Sequence, residues 1–281
     1  MSEIKIAIIG GSGIYKLDGI NVVTKHKVET PFGHPSGEIF ECEVNQCHFY
    51  FIPRHGIGHF LTPSEVNYRA NIFALKKLGI DTVISVSAVG SLKEELAPGE
   101  FVFVDNFIDW TKGLRKRSFF DAGVVGHVSA AHPVERSLSK ALYDCSCAVG
   151  IDSHLGGTYL CIEGPQFSTK SESMMYRSFG ASVIGMTNVP EAFLAKEAGL
   201  AYATVAMVTD YDCWKEEHCT VQEIMNVMNS NYISAQKFIK KAITHLSESP
   251  ISFQPENKNA IITSPELMTE QHKEIIDVIL A

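Results

Sequence analysis

Along the chain, short stretches that are almost wholly apolar alternate with longer ones whose apolar residues recur every three to four positions. The short stretches are IKIAIIG (4–10), HFYFIP (48–53), DTVISVSAV (81–89), EFVFVDNF (100–107), TYLCIEG (158–164), ASVIGMT (181–187) and LAYATVAMVTD (200–210). Rich in Ile and Val and without polar alternation, they predict strands covered on both faces. Between them, TPSEVNYRANIFALKKLG (62–79) predicts a helix with Thr62 as N-cap, Pro63 in the first turn, Glu65 as the acid of a capping box and Gly79 as the stop. Val66, Ala70, Phe73, Ala74 and Leu78 would share its buried face. ERSLSKALYDCSCAVG (135–150), NVPEAFLAKEAGL (188–200) and Val221 to Leu246 predict further helices.

Strands alternating with helices give an α/β fold, a single domain around a central mixed, mostly parallel sheet flanked by helices. That domain is expected to span residues 1–246. The Ser-, Pro- and Asn-rich stretch 247–259 reads as a linker to a last amphipathic helix after Ser264-Pro265, packing on its own or a neighbouring subunit within 247–281.

Composition narrows the partners. A formal net charge of -8 over 281 residues supplies no basic stripe for nucleic acid or an anionic membrane surface. The short IAII run before the first glycine suits neither a signal peptide nor a membrane anchor. Seven Cys, at 42, 47, 145, 147, 161, 213 and 219, favour reduced thiols and a cytoplasmic location. Cys145 and Cys147 invite a redox or metal reading, but on a helix positions i and i+2 point about 200° apart, so buried, inert thiols are expected. No metal site and no organic cofactor is expected.

Anion chemistry is concentrated after the strands. In IAIIGGSGIYK, Gly11 and Gly13 would need a third glycine where Lys16 stands to form a dinucleotide fingerprint, and a phosphate-loop spacing fails at Asp18. What remains is either a cradle of backbone N–H groups with the Ser12 hydroxyl or a plain turn. IPRHGIGHFLTP gathers Arg54, His55 and His59 after the next strand; Arg offers a planar fork and His a donor on either ring nitrogen. A third strand ends in Ser85, Ser87, Ala88 and Gly90, completing a three-sided phosphate pocket with Ser12 and Arg54.

At the end of LAYATVAMVTD, Asp210 and Asp212 would face the same side in extended geometry. Two like charges raise the pKa of one member, leaving a shared proton. Such a pair suits a purine with an exocyclic amine, donating to N7 and accepting from N6, whereas a 6-oxopurine would suit an amide. A helix N-cap or a pair of metal ligands are the other readings of the same residues.

Taken in order, GGSGIY, RHGIGHFLTPSEVNYRANIFALKKLG, SAVGSLKEELAPGE, IEGPQFSTKSES, GMTNVPEAFLAKEAG and TDYDCW, spread over residues 9 to 217, resemble the trimeric purine nucleoside phosphorylases, especially the branch that cleaves 5'-methylthioadenosine. The resemblance implies a phosphorylase/hydrolase-like fold, a homotrimer, and phosphate as co-substrate in a step of purine and methionine salvage. It gives phosphate to Ser12, Arg54, His55, Ser87 and the Ala88 N–H, with serines where the family has threonines at the first and fourth. Met186 would meet the ribose 2'-hydroxyl beside Thr187, and Phe167 and Ser168 would line the base pocket. Asp210 and Asp212 would recognise the base and, with His55, carry the catalysis. His127 in GHVSAAHP would be lent to a neighbour's 5' pocket, and Val221, Met225 and the last helix would wall the methylthio group. The rival readings are an enzyme acting on 5'-methylthioinosine, a general adenosine or inosine phosphorylase, and a non-catalytic nucleotide-binding module.

Overall fold

Ile8 and Ile9, neighbours in sequence, sink into opposite faces of one sheet and are both fully buried. Successive side chains of a strand alternate between faces, so an unbroken apolar run such as β1 (Ile6–Gly10) demands cover on both. The structure, a computed structural model, describes residues 5–11, 20–215 and 221–281. Ser12, the rest of the opening glycine turn, Cys219 and the side chain of Val221 lie outside the described residues.

One face is covered by α2 (Arg136–Ala148) and α5 (Val221–Glu248), where Leu138, Phe238 and Ile243 meet Ile8 and Phe101. The other is covered by α1 (Tyr68–Lys77), α4 (Asn188–Glu197) and α6 (Glu270–Leu280), whose Phe73, Leu194 and Ile279 meet Ile9 and Val83. Each such side chain contributes about 1.5–3 kcal/mol on burial. α3 (Lys170–Ser178) sits apart, against the short turn 212–214.

The sheet has eleven strands among the described residues and is mixed. β1 pairs in parallel with β4 (Cys47–Pro53) and with β5 (Thr82–Ser91). β11 (Ala201–Asp210) runs parallel along the far side of β5, and β6 (Phe101–Val104) joins it antiparallel, followed by β8 (Ser153–Leu155). β10 (Val183–Gly185), β9 (Thr158–Ile162) and β7 (Asn106–Trp110) extend it beyond β5, and β2 (Asn21–His26) with β3 (Ile39–Val44) forms the antiparallel border next to β4. The fold is thus the expected α/β domain.

Several local expectations are corrected. The run 100–107 is two strands, because Asp105 N–H turns to donate to Gly157 O (3.0 Å) and sends β6 and β7 to different neighbours. Thr62 and Glu65 do bond one another, Thr62 N–H and hydroxyl both donating to Glu65 Oε2 (2.9 and 2.7 Å), but they close a separate turn. The helix starts at Tyr68, capped by Asn67, whose Oδ1 accepts from Ala70 N–H while its Nδ2 anchors to Phe32 O. Its end is as expected: Gly79 at φ +78° lets Ile80 N–H reach back to Leu75 O. Cys145 is buried on α2, but Cys147 is exposed, since the rotation that separates them carries the second to solvent.

After α5, Asn257 donates to Glu197 O (2.9 Å) and Ile279 O (2.8 Å), which ties the last segment and α6 onto α1 and α4 of the same chain. Among the described residues no helix is long and apolar enough to cross a membrane.

Candidate active site

β5 has different neighbours at its two ends. Thr82–Ser85 pair with β1, and Gly90–Ser91 pair antiparallel with β10, while β11 accompanies the opposite side throughout. Residues 86–89 therefore have no strand partner on one side among the described residues, because β1 has ended at Gly10. The split opens on a cavity of about 430 Å³, a size suited to a small ligand. It lies beyond the carboxyl ends of β1, β4 and β11, where open α/β sheets hold their ligands.

At one end stands Arg54, just after β4 and only 2% exposed. Its Nε donates to Glu191 Oε2 (2.6 Å), Nη2 donates to Ser85 Oγ (2.7 Å) and Glu191 Oε1 (3.0 Å), and Nη1 donates to Val86 O (3.1 Å) across the gap. A guanidinium carries five N–H groups, so the fork expected to be free for phosphate is taken up by Glu191, and a remaining Nη1 N–H is left for the cavity. Burial works against the Arg54 charge, and Glu191 outweighs it, holding Arg54 protonated. Glu191 Oε1 also accepts from the hydroxyls of Ser85 (2.7 Å) and Tyr202 (2.9 Å). Asn188 Nδ2 bonds Ser85, Tyr202 and Thr204 at 2.7–2.9 Å.

His55 Nδ1 lies 2.9 Å from Leu61 O. A carbonyl only accepts, so Nδ1 carries the proton. Burial, then the Arg54 charge, push the ring's pKa down to about 4, and it is neutral at pH 7. Its Nε2 is consequently an acceptor, which corrects the expectation of a donor on either nitrogen. His59 stacks on it with ring centroids 4.2 Å apart. Ser87 Oγ stands 3.3 Å from the Tyr159 hydroxyl and 3.4 Å from Thr187 Oγ1, and Ala88 lines the cavity beside it.

Asp210 and Asp212 line the other end. They are not held in extended geometry: β11 stops at Asp210, and Asp212 begins a turn at φ +50°, its N–H donating to Asp210 Oδ2 (2.9 Å). The Thr209 hydroxyl donates to Asp210 Oδ1 (2.6 Å), whereas Asp212 Oδ2 is buried with no partner. Both carboxyls have their pKa raised above the ordinary aspartate value; burial is the main cause in each, with the Asp210 charge adding to it at Asp212. Mutual repulsion is thus the lesser term. Gly90 permits the arrangement, because a Cβ there would sit 3.4 Å from both Asp210 Oδ2 and Asp212 Cβ and 3.1 Å from Ile184.

Phe167, Ser168, Met186, Thr187 and Met225 complete the lining, Phe167 being 72% exposed and Ser168 Oγ buried without a partner. His127 is not brought to this cavity; its N–H bonds Ala260 O (2.9 Å) on another part of the surface. Sequence reasoning missed Glu191, Asn188 and Tyr202. The signal was an acid on the same face as Ala195 and Ala198, a polar group in an apolar stripe. Among the described residues no group of three or more His, Cys, Asp or Glu is arranged to hold a metal ion.

Residues 5–244 match the family model described as the phosphorylase superfamily. The chain belongs to this superfamily. Over 278 residues it is 47% identical to the S-methyl-5'-thioadenosine phosphorylase of Geobacter sulfurreducens, covering 98% of this chain and 97% of that one. Among superfamily structures, a methylthioadenosine phosphorylase from an antarctic soil metagenomic library superimposes with a TM-score of 0.93 at 42% identity, covering 100% of both chains. The adenosine/methylthioadenosine phosphorylase of Schistosoma mansoni, as a mutant in complex with tubercidin, gives a TM-score of 0.81 at 35% identity over 88% of this chain and 93% of that one.

Proposed function

We propose that this phosphorylase-superfamily protein cleaves the N-glycosidic bond of 5'-methylthioadenosine with inorganic phosphate, giving adenine and 5-methylthioribose 1-phosphate. The observation that carries the reading is one cavity with a cationic Arg54 at one end and two carboxyls, Asp210 and Asp212, whose burial favours their protonated forms, at the other. The names of the relatives point the same way.

Asp210 donates its proton to N7, Asp212 accepts from the exocyclic amine, and the C1'–N9 bond breaks with its electron pair going to adenine. The developing cation at C1' is met by phosphate on the opposite face, whose oxygen forms the new bond. The free Arg54 N–H, the Ser87 hydroxyl and the Ala88 N–H hold phosphate oxygens, joined by Ser12. His55 Nε2, as an acceptor, takes the P–OH of hydrogen phosphate and orients the dianionic face toward C1'. Phe167 and Ser168 border the base, and Met186 and Thr187 the ribose. No metal or organic cofactor is needed, since bond cleavage requires only a proton and a nucleophile. The active form is a cytoplasmic homotrimer in which His127 reaches a neighbour's 5' pocket.

Ile224, Met225 and Met228 of α5 line the cavity, and this apolar wall favours a methylthio group over a 5'-hydroxyl. The second reading, adenosine as an equal substrate, draws on the name of the Schistosoma relative. The test is purine release from 5'-methylthioadenosine, 5'-methylthioinosine, adenosine and inosine, each with and without phosphate. Phosphate-dependent cleavage led by methylthioadenosine is expected. Cleavage led by an inosine derivative overturns the roles given to the two acids, and binding without cleavage makes the chain a nucleotide-binding module.

A further inference from the structure

Arg115 does not touch the cavity, yet its side chain is 1% exposed and its guanidinium is fully used. Nε donates to Glu163 Oε1 (3.1 Å); Nη1 donates to Met186 O (2.7 Å) and Val189 O (2.6 Å); Nη2 donates to Glu163 O (2.8 Å) and Ile162 O (3.4 Å). Five donors thus meet a carboxylate and four backbone carbonyls, on the last residue of β9 and on the segments that follow β9 and β10. Glu163 extends the clip: Oε1 also accepts from the Ser64 hydroxyl, and Oε2 accepts from Lys112 N–H (2.6 Å). The Tyr68 ring lies under the guanidinium, with its centroid 5.6 Å away.

The fastened atoms belong to the peptides that border the nucleoside end of the cavity. With the Met186 carbonyl held on Arg115, the Thr187 N–H of the same peptide faces the Tyr159 hydroxyl at 3.5 Å, and that hydroxyl reaches Ser87. The Glu163 carbonyl fixes the root of the segment that carries Phe167 and Ser168. The phosphate end is fastened by a separate pair, Arg54 with Glu191, on β4, β5 and α4. The two clips share no residue, and they meet only at α4, where Arg115 holds Val189 O and Arg54 holds Glu191.

We infer that Arg115 is a positioning residue for nucleoside recognition: it sets the Met186–Thr187 peptide and the 163–168 segment, and through them affinity for the base and sugar far more than affinity for phosphate, which depends chiefly on the Arg54 clip. The inference rests on the proposed function for the identity of the ligands, but it is tested by binding, which does not depend on turnover. A lysine keeps the charge and loses the planar fork. It reaches at most part of the four carbonyls.

Full-length Arg115→Lys is titrated with adenine and, separately, with inorganic phosphate by calorimetry, beside the parent protein, and steady-state KM is measured for 5'-methylthioadenosine and for phosphate. The expected result is a rise of about tenfold in the adenine dissociation constant and in the nucleoside KM, with both phosphate constants within about twofold of the parent. A merely structural role would weaken both ligands together, and equal weakening, or no change in either, overturns the inference. If Arg115→Lys does not fold, as judged by far-UV circular dichroism, Glu163→Gln serves in its place. That variant keeps the carbonyl bonds and removes the charge pair, and it should shift adenine in the same direction by about threefold without moving phosphate. Unchanged adenine binding in a folded Glu163→Gln also overturns the inference. A parent protein that binds adenine and phosphate but cleaves no nucleoside would count against the proposed function, and the split between the two ligands would still be read.

Discussion

Arg54, buried, and Asp212, half-buried, both stand at the wall of one cavity, yet the first is bonded to Glu191, Ser85 and Val86 while the second keeps a buried carboxyl oxygen with no partner. The phosphate end is balanced before any ligand arrives, since Glu191 neutralises Arg54 within the protein. The acid end has no such counter-charge, and burial raises the pKa of both carboxyls. The contrast fits the ligands proposed for the two ends. A phosphate brings its own charge and many acceptor oxygens, so a rigid, satisfied frame with a few spare donors is enough to place it. A purine edge brings one acceptor and one donor, and an oxygen such as Asp212 Oδ2, which has no other partner, is free to answer it.

Removing one partner on the balanced side should have the largest effect on folding. Arg54→Ala leaves Glu191 as an unpaired buried charge, and a loss of about 3–5 kcal/mol in urea unfolding is expected. A variant as stable as the parent would break the comparison, because the Arg54–Glu191 pair would then not be a structural frame. For the same reason Arg54→Lys is the better probe of phosphate affinity, as it keeps the charge.

On the unbalanced side the largest effect should be on chemistry. Asp210→Asn removes the proton donor for N7 and should lower kcat/KM for 5'-methylthioadenosine about 100-fold or more, with the urea midpoint no lower than the parent's. Cleavage of 6-oxopurine nucleosides should fall less, because an amide can donate to their carbonyl. Retained activity on the adenine substrate would take Asp210 out of the mechanism.

The smallest effect sharpens the contrast most. The Asp212 pKa is raised above its ordinary value of 3.8, so the folded state binds this proton more tightly than the unfolded chain. The associated stability is complete below 3.8 and is lost as pH rises through the folded value. Asp212→Asn cancels that loss. Its urea midpoint should therefore equal the parent's near pH 3.5 and exceed it at pH 7, a gain in stability at a site where activity is expected to fall. A variant destabilised at pH 7 would show that Asp212 is held by bonds within the fold.

The sheet was legible wherever both faces are covered, because a strand such as β1 then has no polar position to hide it. It was illegible at β2, where nearly every side chain of NVVTKH is exposed and the pairing with β3 rests on backbone bonds that leave no pattern. The capping box at Thr62 and Glu65 was a true local bond with the wrong consequence, since Asn67 is anchored by a loop more than thirty residues earlier. Most of the residues that line the cavity stand in short motifs at strand ends that the sequence displays. Those that hold them were not legible: Glu191 lies 137 positions from Arg54, and Arg115 lies 71 from Met186. Nothing in either local pattern announces its partner.

β1 stops at Gly10 while β5 beside it continues to Ser91. Among the described residues, three more paired positions beyond Gly10, about 10 Å at the usual rise, would bring a neighbour level with Val89 and close the sheet as far as β10. Among the described residues the cavity is thus an omission, a rung left out of an otherwise continuous ladder.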